Sequence, residues 1–109
     1  MDTPFFSPCS ITGMVAGGAQ ATLFSMGVFN PSGNPLAPTI KVCGNPQTIQ
    51  HWSDDLDVDL SGLIAGEMSL DDAGQAVARA VIQAAEGALT KTEALGEGQF
   101  IVPRMLPTF

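Results

Sequence analysis

The 109-residue chain has no tyrosine, one tryptophan, one histidine, two cysteines and four cations, Lys41, Arg79, Lys91 and Arg104. Each scarcity excludes something. Four cations against eleven carboxylates give a net charge of −7. A chain with no basic patch cannot displace counterions from a phosphate backbone, so nucleic acid is excluded as a partner. Docking on an anionic membrane is excluded for the same reason. No apolar run approaches the roughly 20 residues that a membrane-spanning helix needs. The start, "MDTPFFSPCS", has neither the basic segment nor the apolar stretch of a secretory leader. Cys9 and Cys43 are too few for a disulfide-stapled secreted fold. The expectation is a cytoplasmic protein with reduced thiols.

What is present is apolar and punctuated. Hydrophobic residues make up 45% and charged residues 14%, enough for one real core and too apolar for a disordered chain. Twelve glycines and eight prolines fall between the apolar runs, as in a loop-rich α/β domain.

Ser10–Gln20 has the character of a short helix, capped by Ser10 or Thr12 and weakened by Gly13, Gly17 and Gly18. Ala21–Phe29 reads as a buried strand that ends in the turn-rich "NPSGNPLAP". Thr39–Gly44 is a second strand, rich in β-branched residues. Asn45 followed by Pro46 opens a short helix to Trp52. From Ser69 to Leu89, apolar residues recur at helical spacing: Leu70, Ala73, Ala76, Val77, Ala80, Val81, Ala84 and Ala88. Ser69 and Asp72 make a capping-box pair at its start, and Gly87 and Thr90 mark its end. "TKTEALGEG" is a polar turn with room for one helical turn, and Gln99–Arg104 reads as a last strand. Strands alternating with helices predict one small three-layer α/β domain over residues 1–109, with a mostly parallel sheet of about four strands.

One stretch carries candidate chemistry. In "HWSDDLDVDLSG", Asp55, Asp57 and Asp59 alternate with Leu56, Val58 and Leu60. On an extended segment the three carboxylates project one way, about 7 Å apart between neighbours. Such an array is a solvated face, or it holds a cation or a donor. A calcium loop starting at Asp55 is excluded: its sixth place is Leu60 rather than Gly, and its twelfth is Gly66 rather than an acid. Lys41 is a strand lysine that either reaches solvent, pairs with an aspartate or holds an anion. His51, alone near the end of a short helix, is a surface residue rather than a ligand.

The order "GGAQATLFSMG", "APTIKVCGNPQT", "DLDVDLSGLIAGEMSLDDAG", "AAEGALTKTEALG" and "FIVPRMLPTF" resembles the C-terminal part of the altronate/galactarate dehydratase family, which includes sulfolactate sulfo-lyase. The resemblance covers nearly the whole chain. It implies an enzyme that takes a proton from the carbon beside a carboxylate and expels hydroxide, or sulfite in the sulfo-lyase, with a divalent metal, Fe2+ or Mn2+, in the full-length protein. It assigns Asp57 and Lys41 as catalytic groups. Asp57, Asp59 and Cys9 become metal ligands, the last against its reading as a small buried hydrophobe. Thr12, Gly27, Asn30 and Asn34 become substrate-binding positions, although Asn-Pro and Gly-Asn-Pro sequences are commonly plain turns. Gly18 also matches, without an assigned role.

The chain departs from the sugar-acid dehydratases at Ser25-Met26-Gly27-Val28-Phe29, where they tend to read Thr-Thr-Gly-Arg-Gly. The missing arginine is a natural carboxylate clamp. The expectation is a hydro-lyase domain for an altronate- or galactarate-like sugar acid, and this departure raises the sulfo-lyase branch, or another small anionic hydroxy acid or sulfonate, as the alternative. "MDTP" resembles an interior sequence of the longer enzymes. The chain is therefore expected to be a C-terminal lobe that needs the rest of an enzyme chain or a partner subunit, and to be inactive alone. A homo-oligomer formed at an open sheet edge, or an acidic metal-binding module without catalysis, are the alternatives.

Overall fold

A computed structural model describes Thr3 and residues 6–102. In order these form α1 (Ser7–Ala16), β1 (Thr22–Met26), β2 (Thr39–Cys43), α2 (Pro46–Trp52), a 3-10 turn (Ser53–Asp55), β3 (Val58–Asp59), α3 (Ser61–Ala65), α4 (Leu70–Ala85) and α5 (Lys91–Ala94). The strands make one parallel sheet in the order β1-β2-β3. Parallel strands need crossovers, and the loop 27–38 and helix α2 supply them.

β2 is the central strand and every residue in it is buried. Its alternate side chains feed two cores, as the two-residue period of a strand requires. On one face Ile40 and Val42 join Val58 under Ala76, Val77, Ala80, Val81 and Ala84 of α4. On the other, Cys43 joins Met26 and Leu56, with Phe24, Phe29 and Ile49 packed around them. Each buried branched side chain is worth about 1.5–3 kcal/mol over leaving it exposed.

The α/β class agrees with the sequence reading, and the details differ instructively. The sheet has three strands rather than about four. Residues 99–102 form no strand, and Pro103 and Arg104 lie outside the described residues. The chain after α5 instead lies on the loop after β1: a Cβ on Gly98 would stand 3.2 Å from Pro35 Cβ. β1 is an edge strand rather than a buried one, with Leu23 and Ser25 exposed. Helix α1 starts at Ser7, with Pro8 in its first turn and no side-chain cap. Thr12 does not cap it, since its hydroxyl donates back to Pro8 O at 2.7 Å. In α4 the apolar stripe is confined to Ala73–Ala84, and Leu70 is 80% exposed.

The capping box of α4 is present as read. Ser69 Oγ accepts from Asp72 N at 3.1 Å and donates to Asp72 Oδ2 at 2.6 Å. The Ser69 hydroxyl, then the Ser69 backbone N–H, hold the Asp72 carboxyl below its ordinary value, with a smaller pull from Arg79. A depressed carboxylate contributes stability above its unfolded pKa and loses it as pH falls through the folded value. Ser69→Ala is expected to cost about 1 kcal/mol at neutral pH. It is also expected to flatten the loss of stability in acid, below the ordinary aspartate pKa of 3.8. Urea melts of both proteins between pH 7 and pH 3 check this; parallel pH profiles would contradict it.

Candidate functional site

Asp57 follows the 3-10 turn that takes Ser53–Asp55 out of the sheet. That departure leaves the amide of Lys41, in the central strand, without a regular backbone acceptor. Asp57 Oδ2 takes it at 2.7 Å. The other oxygen, Oδ1, accepts from Lys91 N at 2.8 Å, the first amide of α5. One carboxylate thus ties β2 to the N-terminus of α5, where a negative charge also suits the helix dipole. Its backbone N–H donates to Lys41 O at 3.0 Å.

Asp59 is spent differently. It is exposed, and its Oδ1 accepts from Ser61 N at 2.8 Å as α3 begins. Asp55 lies in the 3-10 turn. The alternating acids are therefore not one array around one cation. Cys9 is buried in α1, a free thiol like Cys43. Among the described residues no three His, Cys, Asp or Glu side chains come together so as to hold a metal ion. The donors present do not by themselves fit a divalent metal.

Lys41 is the central group. Its side chain is 0% exposed, while that of its partner Glu97 keeps 35%. The ammonium donates to Pro31 O at 3.1 Å and lies 3.5 Å from Glu97 Oε2. It also stands over the face of Phe29, 5.1 Å from the ring centroid. Phe29 in turn stacks on Trp52, with 4.3 Å between centroids and 5° between planes. The carboxylate facing Lys41 is thus a glutamate from beyond α5, not an aspartate.

Local structure explains how Glu97 reaches it. Thr90 and Glu93 form a second capping box at the start of α5. Gly96 takes φ +70° at the helix end. Its N–H donates to Glu93 O, and Glu97 N donates to Thr92 O at 3.0 Å, which reverses the chain toward Lys41.

The loop after β1 forms the roof. Asn30 Oδ1 accepts from Ser32 N and Asn34 Oδ1 from Leu36 N, both at 2.9 Å. Both amide oxygens hold turns, the plainer of their two readings. Gly27 offers its carbonyl, which accepts from Asn45 Nδ2 at 2.8 Å and Thr48 Oγ1 at 2.7 Å. This joins the carboxyl ends of β1 and β2. His51 is exposed and its Nδ1 bonds Gln47 O at 2.7 Å, which puts the ring proton on Nδ1. Beside Glu97, a cavity of about 230 Å³ opens between Pro8, Pro31, Ser32 and Gly98.

Sequence reasoning singled out Lys41 and Asp57, read Asn45 as a helix cap without its bond to Gly27 O, and missed Glu97 and Thr92. Gly96 with the preceding "TKTEAL" was a usable signal for Glu97: a capped short helix with a glycine stop aims the next residue.

The chain matches the family model described as D-galactarate/Altronate dehydratase, C-terminal, over residues 1–108. It is 36% identical over 105 residues to (2R)-sulfolactate sulfo-lyase subunit beta of Chromohalobacter salexigens. That alignment covers 96% of this chain and 27% of the relative, so the chain spans about a quarter of that protein's length. The chain belongs to the C-terminal domain family of the D-galactarate/altronate dehydratases.

Proposed function

We propose that this chain is the C-terminal domain of a lyase that eliminates a group β to a carboxylate, with a sulfolactate-like sulfonate rather than a sugar acid as substrate. The observation that carries the choice is the loop after β1. Ser25-Met26-Gly27-Val28-Phe29, the end of β1 and the start of that loop, offers no guanidinium, and Val28 is exposed. Positive charge under this loop comes from Lys41, buried beneath Phe29 and Pro31. Similarity to a sulfo-lyase subunit along 96% of the chain supports the same branch.

In such a reaction a base removes the proton from the carbon next to the carboxylate. The electron pair of that C–H bond forms the C=C bond, the C–S bond breaks, and sulfite leaves with its electrons. A lysine ammonium favours the growing negative charge on the substrate carboxylate. The relative is a subunit, which supports a second chain as partner here.

The natural protein carrying this sequence, supplied with iron(II) or manganese(II), is expected to release sulfite from (2R)-sulfolactate and to leave altronate and galactarate unchanged. Dehydration of either sugar acid without sulfite release from sulfolactate would reverse the assignment.

A further inference from the structure

A buried ammonium is costly unless hydrogen bonds and a close counter-charge compensate it. Lys41 has a weak form of that compensation. It has three N–H donors, yet among the described residues one carbonyl at 3.1 Å and one carboxylate oxygen at 3.5 Å are the acceptors around it, with a ring face on another side. A tight ammonium–carboxylate bond is about 2.7–2.9 Å. Glu97 therefore neutralises Lys41 from a distance.

Glu97 is also poised to leave. It keeps 35% exposure. It follows directly on Gly96, where regular structure stops, and no other side-chain hydrogen bond to it is found among the described residues. Turning its carboxylate outward gives up one long contact and regains water. The opening it would leave adjoins the 230 Å³ cavity, whose walls include Glu97 itself and Pro31, the residue that shares Lys41. Thr92 Oγ1 is buried with no hydrogen-bond partner among the described residues. Thr92 belongs to the helix whose end positions Glu97.

We infer that Lys41 is an oxyanion site in which Glu97 is a resident, exchangeable carboxylate, displaced when a small carboxylate or sulfonate enters from the cavity beside Pro31 and Ser32. This rests on the proposal that Lys41 serves the substrate's anionic group. It adds a self-competition term: the domain's own glutamate lowers the affinity for the ligand and covers the charge when no ligand is bound.

Anion binding tests it without turnover. The chain is titrated with glycolate, as a carboxylate probe, and with methanesulfonate, as a sulfonate probe, against chloride at equal ionic strength. Glu97→Gln is expected to bind at least one probe about tenfold more tightly than the wild type, and Lys41→Met to bind neither. Should Lys41→Met fail to fold, the NMR signals of the Lys41 ε-methylene in the wild type and in Glu97→Gln serve instead; they are expected to move on titration, at lower probe concentration in the variant. Equal affinity of wild type and Glu97→Gln, binding that leaves the Lys41 signals still, or no binding by either protein would overturn the inference. Which probe binds more tightly gives the ligand class. Anion binding governed by Glu97 in a protein that releases no sulfite would sink the substrate assignment and leave this inference standing.

Discussion

Asp57→Ala is expected to cost about 3 kcal/mol of stability and to lower the melting temperature by roughly 12–24 °C. The carboxylate accepts two backbone N–H groups, Lys41 N at 2.7 Å and Lys91 N at 2.8 Å. Hydrogen bonds to a charged acceptor contribute about 1.5–3 kcal/mol each, and the more exposed Lys91 contact belongs at the low end. Truncation also leaves the amide of a fully buried residue without an acceptor. Asp57→Asn keeps one acceptor oxygen and turns an NH2 toward the second N–H, so an intermediate loss is expected. Asp59→Ala, which gives up one exposed bond to Ser61 N, is expected to cost about 1 kcal/mol. Thermal and urea melts of the three variants check the order. Equal losses at Asp57 and Asp59 would show that the two acids are used alike. The same variants separate structure from chemistry in the natural protein. Loss of a general base removes about 10²–10⁴-fold of the rate at temperatures where the variant is folded. A positioning carboxylate shows its loss mainly in the melt.

The sequence made the elements legible wherever local chemistry decides them. Asn45 before Pro46 and Ser69 with Asp72 are boundaries written in side chains that bond nearby backbone, and both appear at their expected places, as does the left-handed Gly87 just past α4. Thr90, read as part of that helix end, instead caps α5. The β-branched run Thr39–Cys43 likewise became the central strand. What failed was set by tertiary contact. "QFIVPR" has strand composition, but after the turn at Gly96 and the contact of Gly98 with Pro35 its described residues, 99–102, are exposed and pair with no strand. Leu70 has the right helical phase, yet it is the first residue of α4 and is exposed.

The acidic alternation shows why sites are harder to read than elements. Period-two spacing put Asp57 and Asp59 on one notional face. The 3-10 turn before them and the helix after them give each acid its own backbone donor. Lys41 was visible as a rare cation in an apolar strand. Its partner stands 56 residues later in sequence, at a distance where no spacing rule applies.

Gly33 couples this roof to the segment that carries Glu97, and Gly33→Ala is expected to cost about 2–3 kcal/mol. A Cβ there would fall well inside van der Waals contact of Thr92 Cγ2 and 3.2 Å from Glu97 O. Neither neighbour yields easily: Thr92 is 1% exposed, and the oxygen belongs to the backbone. Thr92→Ser removes the clashing methyl, so the double variant is expected to be more stable than the sum of the two losses predicts, by about 1–2 kcal/mol. Thr92→Val keeps that methyl and replaces the unpaired hydroxyl. Alone it is expected to gain up to about 1 kcal/mol, because the buried oxygen has no partner to lose. Additive losses in the double variant would mean that Gly33 and Thr92 do not press on each other. The strain has a functional direction as well. Pushing residues 96–98 off the loop lengthens a Lys41–Glu97 contact that already stands at 3.5 Å. Gly33→Ala should therefore loosen the resident carboxylate as Glu97→Gln removes it, and a probe anion should bind it more tightly than the wild type even as its melting temperature falls.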